Sequence, residues 1–112
     1  MNFSENRYIV ELIYKCAAEC DYCASLCLEE EEMDRMRDCI KLNIMCADIC
    51  RTTAMAISRE SQYTHNLLEE CAKICRECAE ECEKHQPDHC KRCADICHNC
   101  ADYCLRKEAV IR

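Results

Sequence analysis

Cysteine recurs along this chain at steps of three and four residues, and that rhythm restricts the fold more than any other feature. Cys16, Cys20, Cys23 and Cys27 step by four, three and four, and Cys71, Cys75, Cys78 and Cys82 repeat the pattern. Cys90, Cys93, Cys97, Cys100 and Cys104 step by three, four, three and four. An α-helix turns ~100° per residue, so these steps return to one face. Each run lays a stripe of sulfur along one side of a rod. Cys39, Cys46 and Cys50 supply a sparser stripe, with Asn43 where a further cysteine would fit.

The residues between the stripes agree with helix. Ala, Glu, Lys, Arg, Met and Leu fill them, all good helix formers. The chain has no glycine and one proline, Pro87. Glycine provides the positive φ of hairpin turns and of phosphate-cradling loops, so hairpin folds, dinucleotide-binding folds and P-loops are excluded together. Leu, Ile, Val and Phe total only 19 of the 112 residues, a share that by itself points towards disorder. Buried thiols resolve the conflict, because free cysteine packs as a small hydrophobe. The core is therefore expected to be sulfur and alanine.

Four helices are predicted, forming an all-α, antiparallel up-down-up-down bundle with a Cys-lined core and a single domain over residues 1–112. The first begins near Ser4, a suitable N-cap, and runs to about Leu28. Glu29 to Glu32 form a solvated acidic turn. Asp34 opens a second helix ending near Ile57, Ser58 to Ser61 connect, and a third helix runs to about Lys84. Pro87 suits the first turn of a fourth helix that runs towards Lys107. Cys46-Ala47-Asp48-Ile49-Cys50 recurs as Cys93-Ala94-Asp95-Ile96-Cys97, and Cys71-Ala72-Lys73-Ile74-Cys75 differs from both at one position. Ancestral hairpin duplication explains this repeat as well as function does.

Antiparallel folding predicts four levels of ligands along the axis. Cys27, Cys39, Cys82 and Cys90 share one end; Cys23, Asn43, Cys78 and Cys93 lie below; then Cys20, Cys46, Cys75 and Cys97. Cys16, Cys50, Cys71, Cys100 and Cys104 are the deepest. Ile9, Leu12, Ile13, Met55, Ile57, Leu67, Leu68 and Val110 are expected to plug the far end. Met33, Met36, His85 and His89 dress the near end, which is read as the way in. His65 and His98 are read as surface residues, Asn43 as a buried hydrogen-bonded amide, and Met36 as helix-end packing or a guide at the way in. No serine is placed with a histidine and an acid, and the carboxylates look exposed; nothing here resembles a catalytic centre.

A formal charge of −7 argues against nucleic acid, whose phosphates need clustered Lys and Arg. No apolar run approaches the ~20 residues that span a bilayer. Met1 to Tyr14 carry Glu5, Arg7 and Glu11 and lack the apolar segment of a secretory signal, so the chain is read as cytoplasmic. In a reducing compartment dense cysteine points to metal rather than disulfides.

Thiolates select Cu(I), zinc or iron–sulfur clusters. Burial in apolar surroundings raises a thiol's pKa, so the apo core is expected to be neutral. Exchanging each proton for one Cu(I) preserves that neutrality. Four zinc ions on sixteen thiolates would leave about −8 in the interior, and buried net charge is costly. A two-coordinate ion with bonds of roughly 2.3 Å needs sulfurs ~4.6 Å apart, which i,i+4 side chains reach. Seven such pairs follow: Cys16/Cys20, Cys23/Cys27, Cys46/Cys50, Cys71/Cys75, Cys78/Cys82, Cys93/Cys97 and Cys100/Cys104. A zinc or general thiol-rich metal buffer is the alternative. An iron–sulfur electron carrier is disfavoured, since Cys90-x2-Cys93-x3-Cys97 has the wrong first gaps for a ferredoxin run, lacks its proline and lies on a helix.

The pattern resembles the cytosolic branch of the bacterial copper storage proteins, Cys-rich four-helix bundles sometimes labelled ferredoxin-like. The likeness rests on Cys39-Ile40-Lys41-Leu42, Cys46-Ala47-Asp48-Ile49-Cys50, Glu81-Cys82-Glu83-Lys84-His85 and Asp88-His89-Cys90, followed by the cysteine ladder to Cys104. It implies a homotetramer of bundles, each storing many Cu(I) ions on the thiolates of the CxxxC pairs. The protein is read as a store and not an enzyme, with a copper chaperone as the expected exchange partner. It also implies histidine near the bundle mouth, the position that His85 and His89 match.

Overall fold

A computed structural model describes the backbone of residues 3–110 and the side chains of residues 6–109. Four helices account for most of it: α1 (Phe3–Cys27), α2 (Arg37–Ser58), α3 (Thr64–Glu83) and α4 (Asp88–Val110), with a 3₁₀ turn at Met33–Met36. No strand occurs among the described residues. Each helix packs against the next and α4 returns to α1, so the four rods form a square antiparallel bundle. Its extents are 46 × 20 × 18 Å.

The alanines beside the cysteines explain the slimness. Ala17, Ala47, Ala72, Ala79, Ala94 and Ala101 are all buried at the helix interfaces, where their small side chains allow close approach. Ile9, Ile13, Ile57 and Leu68 fill the far end beyond the last sulfur, and Leu12 and Leu67 are half-buried beside them. Met55 is not part of this plug. It is 39% exposed, because the inward face of α2 passes through Thr53, Ala54 and Ile57. The side chains of Ser4 and Val110 lie outside the described residues.

Element ends differ from expectation by a few residues, each for a local reason. The second helix becomes α-helical only at Arg37, since the backbone from Met33 is wound as 3₁₀ and Met36 is tucked into the core, 5% exposed. The third starts at Thr64 rather than Ser61. Ser61 Oγ accepts from the Tyr63 amide at 3.1 Å, and the Thr64 hydroxyl donates to Ser61 O at 2.7 Å, holding the preceding residues as a turn. Pro87 stands one residue before α4, where its carbonyl accepts from the amides of Cys90 (3.0 Å) and Lys91 (3.3 Å). The α2–α3 junction is a Schellman motif. The Ser61 amide reaches Ala56 O at 2.9 Å and the Glu60 amide reaches Ile57 O at 3.1 Å. With no glycine in the chain, Glu60 itself takes the left-handed conformation, φ 52°.

Candidate metal centre

Helical rotation puts every stripe inward. All sixteen cysteines are buried, and all are free thiols. The i,i+4 pairs Cys23/Cys27, Cys46/Cys50 and Cys93/Cys97 have sulfurs 3.9 Å apart and Cys71/Cys75 4.0 Å. Those separations are a small rotamer change from the ~4.6 Å of linear coordination. Contacts between helices are as short: Cys39 to Cys82 and Cys20 to Cys97 at 3.6 Å, and Cys16 to Cys97, Cys46 to Cys75 and Cys50 to Cys71 at 3.7 Å.

The sulfurs interleave rather than stack in discrete levels. Cys16, Cys46, Cys50 and Cys75 lie mutually within 4.8 Å, as do Cys16, Cys20, Cys46 and Cys97; Cys20, Cys78, Cys93 and Cys97; Cys50, Cys71, Cys75 and Cys100; and, nearest the mouth, Cys23, Cys27, Cys39 and Cys90. Cys16 lies both with Cys50 of its expected level and with Cys20, Cys46 and Cys97 of the level above, and Cys75 likewise spans two. Most sulfurs in the deeper column belong to two groups at once.

Asn43 interrupts the column as a satisfied amide. Its Nδ2 donates to Cys39 Sγ at 3.5 Å, and its Oδ1 accepts from the thiols of Cys78 (3.0 Å), Cys93 (3.2 Å) and Cys82 (3.8 Å). It is fully buried.

The apo column is not uniformly resistant to ionisation. Burial pushes Cys27 up to about 12 and Cys90 up as well. Cys23 moves the other way, lowered to about 6, chiefly because Cys39 and Cys82 donate to its thiolate, with His89 adding to the effect. Cys71 is likewise lowered to about 6, by donors from Cys100 and Cys104. Neighbouring S–H groups favour the thiolate at these two positions, while most of the other thiols are shifted upward, the direction burial dictates.

At the mouth the two histidines take different positions. His89, on the first turn of α4, is buried, with Nδ1 3.4 Å from Cys23 Sγ and 3.6 Å from Cys90 Sγ. Its Nε2 lies 2.9 Å from Glu30 Oε1. Burial works to lower its pKa, but Cys23 and Glu30 favour the imidazolium and the net shift is upward. His85 is half-buried, bonded through Nε2 to Glu81 Oε2 at 2.8 Å and in contact with none of the sulfurs. It lines a depression of about 660 Å³ with Glu29–Glu32, Arg35, Met36, Lys84, Gln86 and Pro87. Met33 is largely exposed.

Two other expectations change. Glu30, in the acidic turn and still partly exposed, is engaged with His89, and Glu108 is a buried carboxylate at the far end, where His65 Nε2 lies 3.2 Å from both Glu108 and Glu69. His98 is at the surface, paired with Glu83 at 2.9 Å. Glu30 was not identifiable in the sequence. The only signal was that its turn shares an end with His89, and four consecutive glutamates do not tell which one turns inward.

A sulfur-lined bundle of this kind has known counterparts. The copper storage protein family profile matches residues 2–109. This chain belongs to the copper storage protein family. Apo copper storage protein 3 of Bacillus subtilis is 37% identical, with 92% of this chain and 97% of that one covered and a TM-score of 0.85. A cytosolic copper storage protein of Streptomyces lividans, in a copper-loading structure with five coppers, is 33% identical, with 95% and 93% covered and a TM-score of 0.90. The cysteine-rich protein YhjQ of Bacillus subtilis strain 168 is 38% identical over 81 residues, 72% of this chain and 75% of its own length.

Proposed function

We propose that the protein stores Cu(I) in the cytoplasm, as a non-enzymatic single domain over residues 1–112, with all sixteen cysteine thiolates as ligands. His85 and His89 serve the route by which copper reaches them. The observation that carries this reading is the sharing of sulfurs between groups: Cys16, Cys20, Cys46, Cys50, Cys75 and Cys97 each belong to two four-sulfur sets. Discrete four-thiolate zinc sites hold no sulfur in common and would each leave about −2 in the interior, whereas Cu(I) at low coordination number is suited to bridging thiolates and replaces thiol protons without adding charge. Relatives add support: one named structure is Cu(I)-bound BsCsp3, and the Streptomyces relative is named as cytosolic. No helix among the described residues is long and apolar enough to cross a membrane.

A second reading, a zinc site, is favoured at one place only. Cys23, Cys27, Cys39 and Cys90 form a four-sulfur set that shares no member with the other four sets given above. Assembly of bundles into a homotetramer is supported by the exposed apolar side chains Tyr8, Tyr22, Ile44 and Met45 on α1 and α2. A copper chaperone is the partner class that would load and unload such a store.

Anaerobic titration of the reduced protein with Cu(I) against a competing chelator tests the reading. Uptake at about one ion per cysteine or more is expected for a one-for-one exchange of thiol protons. Saturation at about four ions or fewer, the count for four-thiolate sites, contradicts storage.

A further inference from the structure

Among the described histidines only His89 reaches sulfur, and it does so with one nitrogen. Its ring bridges two parts of the chain that are distant in sequence. Nε2 meets the Glu30 carboxylate of the α1–α2 turn at 2.9 Å, while Nδ1 points between Cys23 of α1 (3.4 Å) and Cys90 of α4 (3.6 Å). A carboxylate only accepts, so the hydrogen between them is on Nε2. That bond fixes the ring's rotation about its side chain and commits Nδ1 to the thiols. The neighbouring glutamates do nothing comparable: Glu29 and Glu31 are exposed, and Glu32 pairs with Arg35 at 2.9 Å. His85 has its own carboxylate partner, Glu81, but no sulfur within reach.

We infer that Glu30 is a positioning residue for copper uptake, holding His89 by Nε2–H so that Nδ1 is the nitrogen presented to an ion arriving between Cys23 and Cys90. The inference rests on the reading of His89 as part of the uptake route. Its physical basis is the one that governs histidine at metal sites generally. The outer hydrogen bond selects the ligating nitrogen, restricts the ring and makes that nitrogen more basic. Here the outer partner comes from the turn that borders the mouth, so the same bond ties the α1–α2 turn to the start of α4. An arriving Cu(I) ion replaces the proton shared between Cys23 Sγ and His89 Nδ1 and the thiol proton of Cys90, and both protons leave to buffer while Nε2–H stays on Glu30.

The experiment uses the full reduced chain and Cu(I) supplied from a colorimetric chelator, with the fast phase of transfer followed by stopped flow. Glu30→Ala is expected to slow that phase about tenfold, the loss typical of removing an outer-shell partner of a metal-binding histidine. Glu30→Gln, whose side-chain oxygen still accepts from Nε2–H, is expected to restore the rate. Glu31→Ala, which removes an equal charge from the same turn, is expected to leave it unchanged, and Glu30→Ala added to His89→Ala is expected to slow nothing further. Imidazole ¹⁵N shifts at one copper per chain give a readout independent of rate: Nε2 protonated and Nδ1 ligated in the parent protein, with a second ring orientation in Glu30→Ala. Uptake by Glu30→Ala as fast as the parent, with His89→Ala slow, overturns the role of Glu30 and leaves that of His89 standing. Equal slowing by Glu31→Ala overturns it in favour of turn charge, and ligation through Nε2 overturns it outright. Parent-like uptake by His89→Ala overturns the uptake route itself.

Discussion

Asn43 shows how much chemistry one side chain settles. It stands on the sulfur stripe of α2, and a cysteine there would have extended the column without a break. An amide has both a donor and an acceptor to satisfy when fully buried, and here the donor goes to Cys39 and the acceptor to Cys78, Cys93 and Cys82. Removing it strands three thiols and opens a void. Asn43→Ala is expected to lower the stability of the reduced apo protein by about 2 kcal/mol, measured by urea unfolding. An unchanged midpoint would mean the amide is a spectator. That Asn43 faces inward was legible from spacing alone, but its partners were not, because they come from helices whose axial offset no periodicity encodes. The same limit applies to Cys16, placed by spacing with the deepest sulfurs and found grouped with Cys50 among them but also 3.7 Å from Cys97 of the level above. It applies as well to the lowered pKa of Cys23, which depends on which thiols surround it.

At the scale of elements, helix identity followed from the rhythm of three and four, while helix ends depended on local hydrogen bonds. The glycine-free composition leads to a cost at the α2–α3 junction, where Glu60 adopts φ 52° to complete the Schellman motif. A side chain with a Cβ is disfavoured there by roughly 1–2 kcal/mol, partly offset in the unfolded state by its smaller conformational freedom. Glu60→Gly is accordingly expected to stabilise the apo protein by about 0.5–1 kcal/mol, read as a higher denaturant midpoint at constant m-value. Destabilisation by this substitution would show that the Glu60 side chain contributes more than its backbone conformation costs. The absence of glycine was plain in the sequence. Which residue would take the left-handed position was not, since it depends on where α2 stops.

For the whole molecule, the distinction between its two ends organises function. Ile9, Ile13, Ile57 and Leu68 close one end with aliphatic packing, whereas the other carries Met36 and His85 on the wall of an acidic depression, with His89 bonded to Glu30 of that wall. This polarity was readable from the order of residue types along antiparallel rods. The inward turn of Glu30 and the outward face of Met55 were not, because both depend on rotations within single turns. Between those ends the sulfurs form a column shared by all four helices, so copper bound there would tie the rods together. The most direct test is diffraction at the copper absorption edge from crystals of the fully loaded, reduced protein. The account predicts a chain of anomalous peaks along the bundle axis, each within bonding distance of cysteine sulfurs on both sides of Asn43. Peaks confined to the mouth or scattered over surface carboxylates and histidines, with the inner sulfurs still protonated and unligated, would contradict it.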